Sequence, residues 1–161
     1  MANLFDPDFD SSSEQPGFSR QRAALGRQAG AERLGASLFA LPPGQAAFPL
    51  HYHLGNEEML IVIAGSPSLR TLDGERELVT GEVVSFPRGE TGAHQIVNRS
   101  DREARILLIS EMNAPEVVVR PESGKLSALG RPPGSRGEGM HKAFHQSDEV
   151  SFWEGEDPPP P

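Results

Sequence analysis

The 161-residue sequence predicts an all-β fold, a sandwich or barrel of about eight to ten strands. Two observations predict it. From Arg33 to Arg120 the chain is written in short apolar runs with Gly or Pro at almost every break, the texture of many strands at tight spacing. Within that region Asp73-Gly74 separates SLRTL from ERELV, a local hairpin signal, because a two-residue type I′ turn needs positive φ at both central positions.

The elements follow in order. RQRAALGRQAGAER, residues 20 to 33, contains helix formers, but Gly26 and Gly30 each cost roughly 1 kcal/mol against Ala, so at most a short helix is expected. The strand candidates are LGASLFAL, QAAFPLHYH, EEMLIVIA, SLRTL, ERELV, EVVSFP, HQIVN, REARILLIS and EVVV. In EMLIVIA, alternation puts Glu58, Leu60 and Val62 on one face and Met59, Ile61 and Ile63 on the other, so both faces are apolar. The outer face must be covered, either by the segment Leu34 to Leu41 or by a second copy of the chain, and a homodimer is expected. After Arg120 the sequence loosens into Gly- and Pro-rich text with little periodicity. The chain therefore divides into a disordered acidic N-terminus (1–19), a lead-in and barrel (20–120), and a Gly/Pro-rich loop with a C-terminal tail (121–161). In that tail VSFWEGED carries Val150, Phe152 and Trp153. It is expected to dock on the barrel or on a partner subunit, since burying one Trp roughly balances the entropy of ordering the segment.

Charge excludes some function classes. The net charge of −8 resides in the two ends, and Arg99, Arg102 and Arg105 form a solvated edge, so no basic face is available for nucleic acid. No apolar run approaches a membrane span, and the acidic, Pro-broken start is unlike a signal peptide. A cytoplasmic location is expected. Zero Cys removes thiolate metal sites and cysteine nucleophiles.

The stretch HYHLGNEEM holds two histidines one residue apart and then two glutamates. On a strand His51 and His53 leave the same face, close enough for two imidazoles to reach one ion. Glu58 follows a Leu-Gly-Asn bend and can close over the same point, while Glu57 points the other way. His94 re-enters on a second strand after a Pro-Gly loop. Three imidazoles and one carboxylate suit a divalent Fe, Mn, Ni, Co, Cu or Zn ion. His141 and His145 have the i, i+4 spacing of a helical pair but no third ligand nearby, and are expected to be an ordinary tail pair.

These residues resemble the two motifs of the cupins. Gly44, six residues, His51-x-His53, four residues, Glu58, six residues and Gly65 resemble the first; Gly81, five residues, Pro87-x-Gly89, then His94 and Asn98 resemble the second. The gap from Gly89 to His94 holds four residues where two is more usual, and the gap after Gly44 holds six where five is common. The match runs from about Leu34 to Arg120. The lead-in RQRAALGRQAG, the segment PESGK and the tail WEGE are similar to those of small single-domain bacterial cupins. The resemblance implies a double-stranded β-helix (jelly-roll) barrel with a divalent metal on His51, His53, Glu58 and His94. It further implies action on a small molecule by a metal-dependent dioxygenase, isomerase or decarboxylase. The alternatives are a non-catalytic module that senses a small molecule or metal, and a metal-free structural barrel.

Overall fold

The computed structural model describes residues 2–134 and 139–158. Its strands are β1 (Ser11–Gln15), β2 (Phe18–Ala23), β3 (Leu34–Leu41), β4 (Tyr52–His53), β5 (Glu58–Ala64), β6 (Ser68–Arg70), β7 (Glu75–Glu77), β8 (Val83–Phe86), β9 (Gln95–Val97), β10 (Ala104–Glu111), β11 (Glu116–Arg120), β12 (Lys125–Leu129) and β13 (His141–His145). One helical turn, α1 (Leu25–Gln28), links β2 to β3. The expected all-β architecture is present.

A six-stranded sheet in the order β1-β2-β3-β10-β5-β8 faces two smaller sheets, β13-β12-β11-β4 and β7-β6-β9. Isolated bridges Ala46–Val97 and His51–His94 stitch the smaller sheets into one wall. The register follows alternation. Leu60 and Val62 of β5, Ile106 and Leu108 of β10, and Phe39 and Leu41 of β3 turn inward onto Leu69, Leu78, Phe86 and Ile96. Each such side chain contributes roughly 1.5–3 kcal/mol on burial, so this cluster is the main source of stability.

Outside the large sheet, Leu38, Ile63 and Leu107 are covered by Ala23, Leu25, Leu4 and Phe9. The cover on this face is therefore the extreme N-terminal segment and α1. Leu34–Leu41 is a strand of the same sheet, flanked by β2 and β10. Gly26 is what lets α1 lie close, since a Cβ there would stand 2.8 Å from Ala36 N.

Four expectations are corrected. Residues 11–19 are not disordered: β1 pairs along its whole length with β2, and Asp10 accepts from Arg27 and from the Ala24 amide, so the acidic start is held by specific partners. The Asp73-Gly74 hairpin exists, but Asp73, like every other described non-Gly residue, has no positive φ, so the turn is not type I′; Arg70 opposite Glu75 leaves a four-residue loop closed by Thr71 N–H to Gly74 O. Residues 121–161 are not merely loop, because β12 and β13 extend the second sheet; positions 135–138 and 159–161 lie outside the described residues. Finally, the tail does not dock on its own barrel. Phe152 is 82% and Trp153 74% exposed, touching each other edge to face, so the entropy of ordering the segment is not repaid within one chain.

Candidate metal centre

The local sequence explains how each side chain reaches the site. Gly44 to Leu50, with Gly44, two alanines and Pro49, forms no regular strand, yet His51 still forms a bridge with His94 through two backbone hydrogen bonds, His51 N–H to His94 O (3.1 Å) and His94 N–H to His51 O (2.9 Å). The two histidines, 43 positions apart, are a directly facing cross-strand pair. Their rings lie 4.7 Å apart. His53 follows on β4, its ring 5.1 Å from that of His51. Glu58 opens β5 opposite Phe86 and Ser110, on the same inward face as Leu60. Glu57 points outward and accepts from Ser85 Oγ at 3.0 Å, as alternation requires.

The ligand atoms of His51, His53 and Glu58 lie within 4.8 Å of one another and could hold a metal ion. Glu58 Oε2 is 3.5 Å from His53 Nε2 and 3.4 Å from His94 Nε2. His94 joins the group through Glu58. The longer loop before it is taken up by a 3₁₀ turn, Glu90–Gly92, with the Gly89 amide bonded back to His53 O at 2.8 Å. Gly92 is required there, because any Cβ would fall 1.8 Å from Pro87 O.

The tautomers are set by the backbone. His51 Nδ1 lies 2.8 Å from Pro49 O and His94 Nδ1 2.9 Å from Gly92 O, so in each neutral ring the proton sits on Nδ1 and the Nε2 lone pair faces the site. His94 Nε2 is buried without a hydrogen-bond partner. A bare, buried acceptor of this kind is costly unless something electropositive occupies the point it faces. The donor set therefore fits a divalent ion.

Electrostatics point the same way. Burial, followed by the neighbouring His94 and His53, pushes His51 down to about 3, which keeps it neutral. Burial alone would raise the Glu58 carboxyl, but the neighbouring His94, His53 and His51 outweigh it and hold it at about 2. His53 is pulled the opposite way. Burial disfavours its charge, yet Glu116 and Glu58 favour it more, and its pKa is raised.

Glu116, at the start of β11, is the functional residue that the sequence reading missed. It is fully buried, its Oε2 lies 3.4 Å from His53 Nδ1, and it accepts from the amides of Leu54 (3.2 Å), Gly55 (3.0 Å) and Val117 (2.8 Å) and from Asn56 Nδ2. The pairing of β11 with β4, Val118 opposite His53, brings it there. A carboxylate behind an imidazole orients the ring and raises its basicity as a ligand. The only local signal is an acid at the head of a strand whose next three residues are valines.

His141 and His145 do not share an ion. They lie on β13, not on a helix, so four residues of strand, roughly 13 Å, separate them. Tyr52 turns away from the His51–His53–Glu58 group, beside Val119.

The group opens into a cavity of about 680 Å³. Its wall includes Arg20, Arg22 and Arg120 together with Phe39, Phe48 and Leu108. A size in the range of about 300–1,000 Å³ is that of a small-molecule site.

Residues 37–110 match the cupin domain. Among solved structures, the chain is similar to a cupin-superfamily sugar phosphate isomerase from Silicibacter pomeroyi (22% identity, TM-score 0.77, covering 96% of this chain and 98% of that one). It is also similar to a candidate sugar phosphate isomerase from Acidithiobacillus ferrooxidans (24%, TM-score 0.75, 88% and 87%). The polyketide cyclase RemF from Streptomyces resistomycificus aligns less fully (24%, TM-score 0.57, 69% and 78%). No curated protein matches in sequence. These likenesses establish the fold as a double-stranded β-helix, and residues 37–110 within it match the cupin domain.

Proposed function

We propose that this protein is a metal-dependent cupin acting on a small molecule, with a divalent ion held by His51, His53, Glu58 and His94 at the floor of the cavity. The observation that carries this is the convergence of three imidazoles and one carboxylate, with His94 Nε2 buried and unpartnered beside Glu58. The ion would supply Lewis-acid or redox chemistry to an oxygen function of the substrate. The chain's own groups do the rest. Pro49 and Gly92 carbonyls fix two imidazoles, Glu116 aligns the third, and Phe86, stacked 3.8 Å from the His94 ring, shields that ligand from water.

Two neighbours are described as sugar phosphate isomerases, one only as a candidate, which favours aldose–ketose interconversion as the first reaction to assay. The test is turnover by zinc-, manganese- and iron-loaded protein of phosphorylated sugars, with oxygen uptake on small carboxylic acids run in parallel. A sensing module is the second reading. It is favoured by the cavity wall, where the described carboxylates and histidines outside the ligand group are only the exposed Glu32 and His141. Tight metal and ligand binding without turnover in any assay would select it.

Metal binding should depend on pH in one direction. An ion needs neutral imidazoles, so below the raised pKa of His53 it must displace that proton. Apparent affinity should rise as pH rises through 6.5 and level off once His53 is neutral, while Glu58 and His51 are already in their ligand forms. Calorimetric titration with zinc checks this; an affinity constant between about pH 5 and 8 contradicts it.

The homodimer is also proposed. Met59 and Val83, 40% and 56% exposed, continue across β5 and β8 with Ile61 opposite Val83, leaving an apolar strip beyond the N-terminal cover. Light scattering should report about twice the 17.4 kDa chain mass. A monomer at every accessible concentration rejects it.

A further inference from the structure

Two sets of arginines can be compared. Arg27, Arg70, Arg76, Arg88, Arg99 and Arg105 each meet a carboxylate, Asp10, Glu122, Glu82, Glu111, Glu75 and Glu103 in turn. Arg27 lines the cavity as well and keeps its Asp10 partner, but Arg20 and Arg120 there are held differently. Arg20 lies with Cζ 4.2 Å over the Phe48 ring and donates to Phe18 O at 3.3 Å. Phe48 in turn packs edge-on to His51, ring to ring at 5.8 Å, so the guanidinium is layered over the metal group through one phenyl. Arg120 donates to Ser127 Oγ at 2.8 Å from the opposite wall, on the same face of β11 as Val118, which stands opposite His53. Neither Arg20 nor Arg120 meets a carboxylate among the described residues. Arg22, two positions from Arg20 and so on the same face of β2, lines the cavity too and is braced by Ser37 Oγ at 3.0 Å.

In a protein of net charge −8, two half-buried arginines, Arg20 and Arg120, held by neutral partners among the described residues at one cavity are a departure that needs a cause. Burial and then the repulsion of Arg22 hold Arg20 below the usual guanidinium range, so ordering these side chains together is unfavourable in the free protein. A bound anion reverses that. A single carboxylate would neutralise one guanidinium; a phosphate dianion, with three acceptor oxygens, can take two or three in the forked geometry that arginine presents.

We propose that Arg20, Arg120 and Arg22 form an anion subsite that binds the phosphate group of a small phosphorylated substrate, whose neutral oxygen-bearing end then reaches the His51–His53–Glu58 group. The substrate half of this proposal rests on the cavity being the reaction site; the phosphate half does not. The cavity, about 680 Å³, accommodates a body of several carbons between the two ends.

The experiment is calorimetric titration of the full chain with inorganic phosphate, in zinc-loaded protein and again after chelation, with malonate as the competing anion. Phosphate should bind once per chain in both forms and more tightly than malonate. Arg20→Met and Arg120→Met, which keep the apolar stem, should each weaken it about tenfold to a hundredfold, as loss of a charge-assisted hydrogen bond does. Arg99→Met, outside the cavity, should leave it unchanged. Metal content should be the same in all variants, measured independently, so a protein that takes no metal would defeat the proposed function while leaving the anion subsite to stand or fall alone. Should Arg20→Met unfold, Arg120→Met and Ser127→Ala decide. Phosphate binding that requires the metal, that is indifferent to the cavity arginines, or that is weaker than malonate binding overturns the proposal.

Discussion

Glu58→Ala should abolish stoichiometric metal binding while the protein still melts in one cooperative transition. Glu58 is the sole carboxylate in the compact ligand group, its side chain is 11% exposed, and its oxygen stands between His53 and His94. Without it an ion would bring two positive charges into a cavity already lined by Arg20, Arg22 and Arg120, with no anionic ligand to offset them. The fold has little reason to fail. Position 58 pairs by backbone with Ser110 and Phe86, which Ala preserves, and the inward core begins at Leu60. His53→Ala should act alike. Elemental analysis beside a thermal melt is the measurement. Stoichiometric metal in Glu58→Ala, or in a His53→Ala, His94→Ala double variant, would refute the ligand assignment, and so would loss of metal in His141→Ala alone.

Glu116→Ala should be the most destabilising single change near the site, by about 3–5 kcal/mol, the range for breaking a buried charged partnership. Its carboxylate satisfies the Leu54, Gly55 and Val117 amides and Asn56 while facing His53, so truncation strands several buried donors at once. Where the variant folds, metal affinity should drop about tenfold to a hundredfold through lost orientation of His53. Glu116→Gln separates the two effects. The amide oxygen can still accept from the backbone, so most stability should return. The charge that raises the His53 pKa is gone, however, and the pH dependence of metal binding should flatten. Denaturant unfolding and metal titration across pH test both parts. A Glu116→Ala protein as stable as the parent would show that the buried carboxylate is not structural.

Local chemistry made much of the barrel readable. LGASLFAL became β3 with the same bounds, EMLIVIA became β5, and alternation correctly turned Glu58 inward and Glu57 outward. Both depend on the side-chain period of a strand, which neighbours cannot change. The ends were misread for a different reason. SSSEQ and KLSAL are weak strands by composition, and they exist because β2 and β11 offer them paired edges. VSFWEGED contains the stronger apolar signal and has no such edge, so it stays exposed.

The sequence by itself determined the strand-and-turn texture and the ligand chemistry of HYHLGNEEM, because periodicity, turn residues and donor type are properties of a few neighbouring positions. Only the tertiary structure decided that His51 faces His94 across a backbone bridge, that Glu116 lies behind His53, and that Arg20 and Arg120 meet at one cavity. Those residues are 43, 63 and 100 positions apart in the chain. Their meeting depends on how the sheets register against one another, which the packing of Leu60, Ile96 and Ile106 enforces and no local pattern contains.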